Sequence, residues 1–229
     1  MKIGIIGAMR LEMELILERM ENVREEFLIG YSFYIGNIND NEIVICESGV
    51  GKVNAGCAAA LLISEFDVNL VINTGIAGGL PGVKHRDVVI ASGLIWHDFD
   101  IRIFGYDYGQ VPHMPKVFLT NPAIIAMTKS ILIKNKIDYK EGVIASGDQF
   151  VTSLEKLDNI KDSKPIACEM EGCAIAQVAT KAGVDFIVLR YISDVVGEKN
   201  QNENYTEFEA EMAKQSAKIC ISLIENIEV

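Results

Sequence analysis

The chain has 229 residues, of which 49% are apolar and 23% charged, with a formal net charge of −11 at pH 7. That balance excludes a disordered chain and suffices for one large domain with a full hydrophobic core. Acidity with no basic cluster excludes nucleic-acid and anionic-membrane partners, which need a positive stripe, and leaves a neutral or cationic small-molecule ligand open.

Residues 2–7 read as a buried strand, with no apolar h-region or cleavage site of a secretion signal around them. Ala8-Met9 turns into a helix over about 10–20, with Leu11, Leu15 and Ile16 at apolar positions. Glu12 falls in its first turn, where a carboxylate either answers the helix dipole or faces the top of the first strand. Residues 31–38 and 42–47 form a hairpin about Asn39-Asp40-Asn41. Ser48-Gly49-Val50-Gly51-Lys52 leads into an alanine-rich helix over 53–66. The GxxxxGK[ST] spacing is absent, so these glycines read as room for helix–sheet packing rather than as a phosphate loop.

A short strand over 69–73 runs into Thr74-Gly75-Ile76-Ala77-Gly78-Gly79-Leu80. This is either an ordinary turn or a place where backbone passes close to a ligand. A strand over 87–95 precedes a long aromatic loop, 96–112, of the kind that serves function or an interface. A helix over 121–135 and a strand over 141–146 follow, the strand ending in Gly147-Asp148-Gln149-Phe150-Val151; Phe150 there either stacks on a flat ring or belongs to the core. At 165–169 an apolar run becomes a small-residue helix, with Glu169, Met170 and Glu171 at the junction. Residues 186–192 are a further strand ending in Ser193-Asp194. The polar stretch 196–204 suits a lid, and an amphipathic helix over 205–226 closes the fold. Strands alternating with helices after an early hairpin predict a single α/β domain, 1–229, with a mixed central β-sheet flanked by helices.

Cys46, Cys57, Cys168, Cys173 and Cys220 lie in apolar or small-residue runs without a CxxC spacing, and are expected to be reduced core residues. No apolar run approaches the ~20 residues of a membrane span, so a cytoplasmic location is expected. With three histidines at no ligand spacing, no metal or other cofactor is expected.

Ligands of open α/β sheets gather at the carboxyl ends of strands. Those ends and their turns hold Glu12, Gly75–Gly79, Phe150, Val151, Glu169, Met170, Glu171, Arg190 and Asp194. Several acids without a metal suit acid–base chemistry, and cleavage of a glycosidic bond is the natural case. One carboxyl protonates the leaving group, another activates water, and charge between them stabilises an oxocarbenium-like sugar. A purine leaving group needs protonation at a ring nitrogen by an acid whose pKa burial has raised.

The motifs Ile5-Ile6-Gly7-Ala8-Met9, Glu12, Ser48-Gly49-Val50-Gly51-Lys52-Val53, Asn73-Thr74-Gly75, Ala77-Gly78-Gly79, His97-Asp98, Phe104-Gly105-Tyr106, Gly109-Gln110, Ser146-Gly147-Asp148, Glu169-Met170-Glu171 and Ile192-Ser193-Asp194 run from end to end of the chain. Together they resemble the 5′-methylthioadenosine/S-adenosylhomocysteine nucleosidases of the purine nucleoside phosphorylase-like superfamily. The resemblance implies a nucleoside phosphorylase-like fold and hydrolysis of adenine nucleosides to adenine and 5-methylthioribose or S-ribosylhomocysteine. It implies that Asp194 protonates adenine N7 and that Glu12, with Arg190, holds and deprotonates water. Glu171 would bind the ribose hydroxyls, with Met170 packing on the ribose and Glu169 in support. Phe150 would stack on adenine and the Val151 backbone would read its N1/N6 edge. Met9 and Val50 would line the ribose and alkylthio region, and Ile76, Ala77, Gly78, Ser193 and Tyr205 would complete the substrate site. The family is homodimeric, which would send Phe104 and Pro112 to the partner's 5′-thio pocket.

Three departures stand out. Arg10 sits where the family is acidic, and nearby it would lower the pKa of Glu12 and weaken it as a base. Ile76 replaces a small hydroxyl residue. The segment before Tyr205 differs slightly in length. Two other readings go with the same residues: a phosphorolytic enzyme of the superfamily, and a nucleoside-binding protein with impaired catalysis.

Overall fold

A computed structural model describes residues 1–227, so the last two positions of the expected 1–229 domain lie outside the described residues. The first strand, β1 (Lys2–Gly7), is buried on both faces: Ile3 and Ile5 enter one core and Ile6 another, which is why it reads as an unbroken apolar run. The expected helix over 10–20 begins as one 3-10 turn, Arg10–Glu12, before α1 (Glu14–Arg19). Sequence pattern gives no sign of β2 (Glu21–Leu28), because its mostly exposed ENVREEFL run has no apolar alternation. Its geometry comes from antiparallel pairing with β3 (Tyr31–Ile38), which forms the expected hairpin with β4 (Asn41–Glu47). Gly49 and Gly51, both at positive φ, then turn the chain into α2 (Lys52–Phe66).

The next strand corrects the sequence reading. β5 (Leu70–Gly79) runs straight through the glycines expected to form a turn. It stays extended because β10 (Asp185–Val195) pairs with it in parallel, setting Arg190 against Gly75, Tyr191 against Ile76 and Ile192 against Ala77. Between them come β6 (Val88–Trp96), β7 (Phe118–Leu119), α3 (Pro122–Lys134), β8 (Tyr139–Ser146), β9 (Pro165–Glu169) and α4 (Gly172–Ala182). A run of 3-10 turns, Leu154–Ser163, bridges β8 and β9. The last helix, α5 (Gln201–Asn226), starts four residues earlier than expected and absorbs part of the polar 196–204 stretch.

The strands run β2-β3-β4-β1-β5-β9-β8-β6-β10, and β10 pairs back onto β5. Five strands therefore close into a ring, while β1, β4, β3 and β2 extend from it and leave β2 as the open edge. The sheet is mixed, as expected: β1 is parallel to β4 and β5, whereas β9 is antiparallel to β5 and β10 to β6. Helices cover both faces. Leu62 and Phe66 of α2 join Ile175 of α4 in one core, and Ile16 of α1, Leu132 of α3 and Leu223 of α5 share the other. Each such side chain contributes about 1.5–3 kcal/mol by leaving water. Four of the five cysteines are buried, but Cys57 lies on the exposed side of α2 and is no core residue.

Candidate active site

The carboxyl ends of β1, β5, β9 and β10 meet the turns after β4 and β8 around a cleft whose empty space, open solvent included, is about 580 Å³. Glu12 lies at its floor, 2% exposed. Its Oε2 accepts from the backbone N–H of Ala8 (2.7 Å) and Met9 (3.1 Å), and its Oε1 from Ile76 N–H (3.2 Å). Glu12 thus binds the amides of Ala8 and Met9 before it and reaches the end of β5. Burial raises its pKa above the ordinary 4.5, against the lowering by the Arg190 charge and the three backbone donors. Arg10 does not act as expected. Its guanidinium stacks over the Tyr34 ring, 5.2 Å from the centroid, and the charge that lowers the Glu12 pKa belongs to Arg190.

Glu171 stands at the start of α4, and its Oε1 accepts from Gly51 N–H at 2.8 Å. Burial first, then repulsion from Glu169, pushes its pKa up to about 7. Asp194 is 1% exposed. Its Oδ1 accepts from the Ser193 hydroxyl (2.7 Å) and its Oδ2 from Gln201 Nε2 (2.8 Å).

Glu169 has a different kind of place. Its Oε2 accepts from the N–H groups of Glu171 (3.0 Å) and Gly172 (2.7 Å), which caps α4, and it also binds the Arg190 guanidinium and the Ser146 hydroxyl. Arg190 donates to Glu169, to the Asn73 side chain and to the carbonyls of Asn73 (3.3 Å) and Leu189 (3.0 Å). None of these bonds reaches Glu12, so Arg190 influences that carboxylate only through space.

Met9, Val50, Ile76, Ala77, Gly78, Phe150, Val151, Met170, Ser193 and Tyr205 line the cleft. The Phe150 ring is 42% exposed and meets the Tyr205 ring edge-on, centroids 5.3 Å apart. Phe104, 75% exposed, and Pro112 lie in the 96–112 loop, outside this cleft. Sequence reasoning missed Gln201, which also donates to the Val151 carbonyl at 2.9 Å. It also missed Ala8, Gln149 and Cys168 in the lining. For Ala8, Gln149 and Cys168 the signal was adjacency to named motifs; Gln201 gave none, since it sits in a polar run.

The lining contains four acids and no lysine or arginine. The amides at the start of α2 are already taken: Gly51 N–H by Glu171 and Lys52 N–H by Asp148, at 2.8 Å each. The Lys52 ammonium binds Asp98 at 2.7 Å. The site therefore has acids to move protons and no free cationic cradle for an anion. Among the described residues no group of histidine, cysteine, aspartate and glutamate side chains is arranged to hold a metal ion.

The phosphorylase superfamily matches this chain over residues 2–225, which fixes its class. A 5′-methylthioadenosine/S-adenosylhomocysteine nucleosidase of Staphylococcus epidermidis is 37% identical over 228 residues, 98% of this chain and 100% of the relative. An S-adenosylhomocysteine nucleosidase from Streptococcus pyogenes, solved with 5-methylthiotubericidin, superposes with a TM-score of 0.94 at 38% identity, covering 100% of this chain and 98% of that one. A futalosine hydrolase mutant of Helicobacter pylori superposes with a TM-score of 0.93 at 35% identity over 99% of both chains. The chain belongs to the family of 5′-methylthioadenosine/S-adenosylhomocysteine nucleosidases.

Proposed function

We propose that the protein hydrolyses the N-glycosidic bond of 5′-methylthioadenosine and S-adenosylhomocysteine, and of 5′-deoxyadenosine, releasing adenine and the 5-substituted ribose. The observation that carries this reading is the convergence of three buried carboxyl groups, Glu12, Glu171 and Asp194, on a cleft that no lysine or arginine lines.

Asp194 is the acid that gives adenine N7 its proton, so that the base leaves neutral. Glu12 is the base: burial has raised its proton affinity, and three backbone donors hold the carboxylate aimed at one point. It takes a proton from the water that attacks the anomeric carbon. Glu171 binds the ribose hydroxyls. As positive charge develops on the sugar, its carboxylate form is favoured, which couples this residue to the transition state. Phe150 and Met170 pack on base and ribose. Arg190 and Glu169 are positioning residues, since their bonds are spent on each other, on Asn73 and on the α4 cap. Ile76 contributes its N–H to Glu12 and an apolar wall in place of a hydroxyl.

The reading includes a homodimer in the cytoplasm. The exposed Ile103 and Phe104, with Pro112, supply an apolar surface suited to closing the 5′ side of a second copy's cleft, and five free thiols suit a reducing compartment. Adenine release from methylthioadenosine, S-adenosylhomocysteine, 5′-deoxyadenosine and inosine, each with and without phosphate, tests the proposal. Phosphate-independent release from the adenine nucleosides is expected. Strict phosphate dependence would make the enzyme a phosphorylase, binding without turnover would leave an impaired nucleoside-binding protein, and preference for inosine would overturn the base assignment.

A further inference from the structure

We propose that the Gln201 carboxamide is a built-in occupant of the slot that receives the amino group of the base, so that an adenine nucleoside binds by displacing the first turn of α5. This rests on the adenine-nucleoside reading above.

Gln201 is 4% exposed, although Gly197, Glu198, Lys199 and Asn200 before it are all exposed. One nitrogen, Nε2, gives one hydrogen bond to the Val151 carbonyl (2.9 Å) and one to Asp194 Oδ2 (2.8 Å). Its Oε1 accepts from Gly197 N–H at 3.0 Å. A planar NH2 group with two hydrogens directed at two fixed acceptors is the pattern that a 6-aminopurine presents through its exocyclic nitrogen. Carboxamide and aminopurine therefore compete for the same pair of acceptors, and both cannot be seated.

Tyr205 is a second, independent sign. It lies four residues on, on the same helix face, with its ring edge-on to Phe150. The first turns of α5 thus cover both the polar slot and the aromatic wall on which a base would stack. The remainder of α5 is anchored elsewhere: the Ser216 hydroxyl bonds Thr74 and Gly75, and Cys220 and Leu223 are fully buried. Gly197, at φ 85°, supplies a joint before the helix. The first turn can therefore leave without disturbing the anchored part.

The occupant also sharpens selection. A 6-aminopurine restores both hydrogen bonds that Gln201 gives up. A 6-oxopurine restores neither, and would leave two buried acceptors unpaired.

The test is the dissociation constant of free adenine, measured by titration calorimetry on the full chain and on Gln201→Ala and Gln201→Glu. Apparent affinity is reduced by the fraction of molecules whose site is open, so an occupant seated nine-tenths of the time weakens adenine about tenfold. Neither variant offers both donors, since alanine has none and a glutamate beside Asp194 has at most one, on a protonated carboxyl; both are expected to bind adenine more tightly, alanine by about tenfold. If Gln201→Ala does not fold, the near-isosteric Gln201→Glu carries the test. Wild-type protein that binds adenine while the folded variants bind it equally or more weakly would overturn the occupant and leave the function standing. Wild-type protein that neither binds adenine nor releases it from methylthioadenosine would overturn both.

Discussion

Gly75 and Glu12 touch so closely that a single methyl group should disable the base. A Cβ at position 75 would sit 2.5 Å from Glu12 Oε1 and 3.0 Å from its carboxyl carbon, where ordinary contact begins at 3.4 Å. Gly75 does not have a positive φ, so alanine is acceptable to the backbone and the strain falls on the carboxylate. Glu12 has little room to withdraw, because Ala8, Met9 and Ile76 N–H groups hold it. A displacement of roughly 1 Å in a positioned catalytic group costs about 10²-fold, or about 2.7 kcal/mol of transition-state stabilisation. Losing the Ile76 bond adds about 1–3 kcal/mol of lost stability. Single-turnover adenine release from methylthioadenosine, beside thermal unfolding, reads both effects. Gly75→Ala should lose about 10² in rate while remaining folded, and adding it to Glu12→Gln should cost little more, since both act through one group. A folded Gly75→Ala protein within twofold of the wild-type rate would refute the assignment of Glu12 as the base.

Asp194→Asn should lower the rate of adenine release by about 10²–10⁴, the usual contribution of a positioned acid, and retention of more than a tenth of the rate would move the acid elsewhere. Glu169→Ala removes the partner of a buried arginine together with the α4 cap, so denaturant unfolding should show a loss of about 3–5 kcal/mol. A loss under about 1 kcal/mol would contradict the structural role given to Glu169. The Glu171 pKa rises from 4.5 to about 7 on folding, so the native state holds a proton that the unfolded chain releases in that window. The stability this supplies is full below pH 4.5 and lost as pH rises through about 7. Glu171→Gln should therefore gain melting temperature over wild type at pH 8 relative to pH 5, and parallel profiles would contradict it.

Most strands and helices were legible because their apolar residues recur at the strand or helix period. What escaped was fixed by partners distant in sequence. β2 has exposed charges and becomes a strand through β3. The glycines of β5 are locally a turn signal, overridden by ten residues of β10 pairing. The acids of the site were legible because each stands at a strand end or first helical turn. Their division of labour was not. The Arg190 guanidinium goes to Glu169 and Asn73 rather than towards Glu12, and Arg10 lies on Tyr34; both depend on side-chain directions that no local pattern encodes. Gln201 sits in a polar stretch of sequence, and only the approach of Val151 and Asp194 from two other segments buries it.

The ring of five strands has a bearing on how the protein survives at high concentration. Strands inside the ring have both edges paired, and only the two-residue β7 adds a short edge beside them. The unpaired backbone of the main strand path is concentrated in β2, eight residues long. That strand also exposes Val23 and Phe27, with Ile29 just beyond, an invitation to edge-to-edge addition. Glu21, Arg24, Glu25 and Glu26 stand on it as a fence. A few charged side chains at the opposite end of the sheet from the cleft thus guard the strand edge most open to another chain.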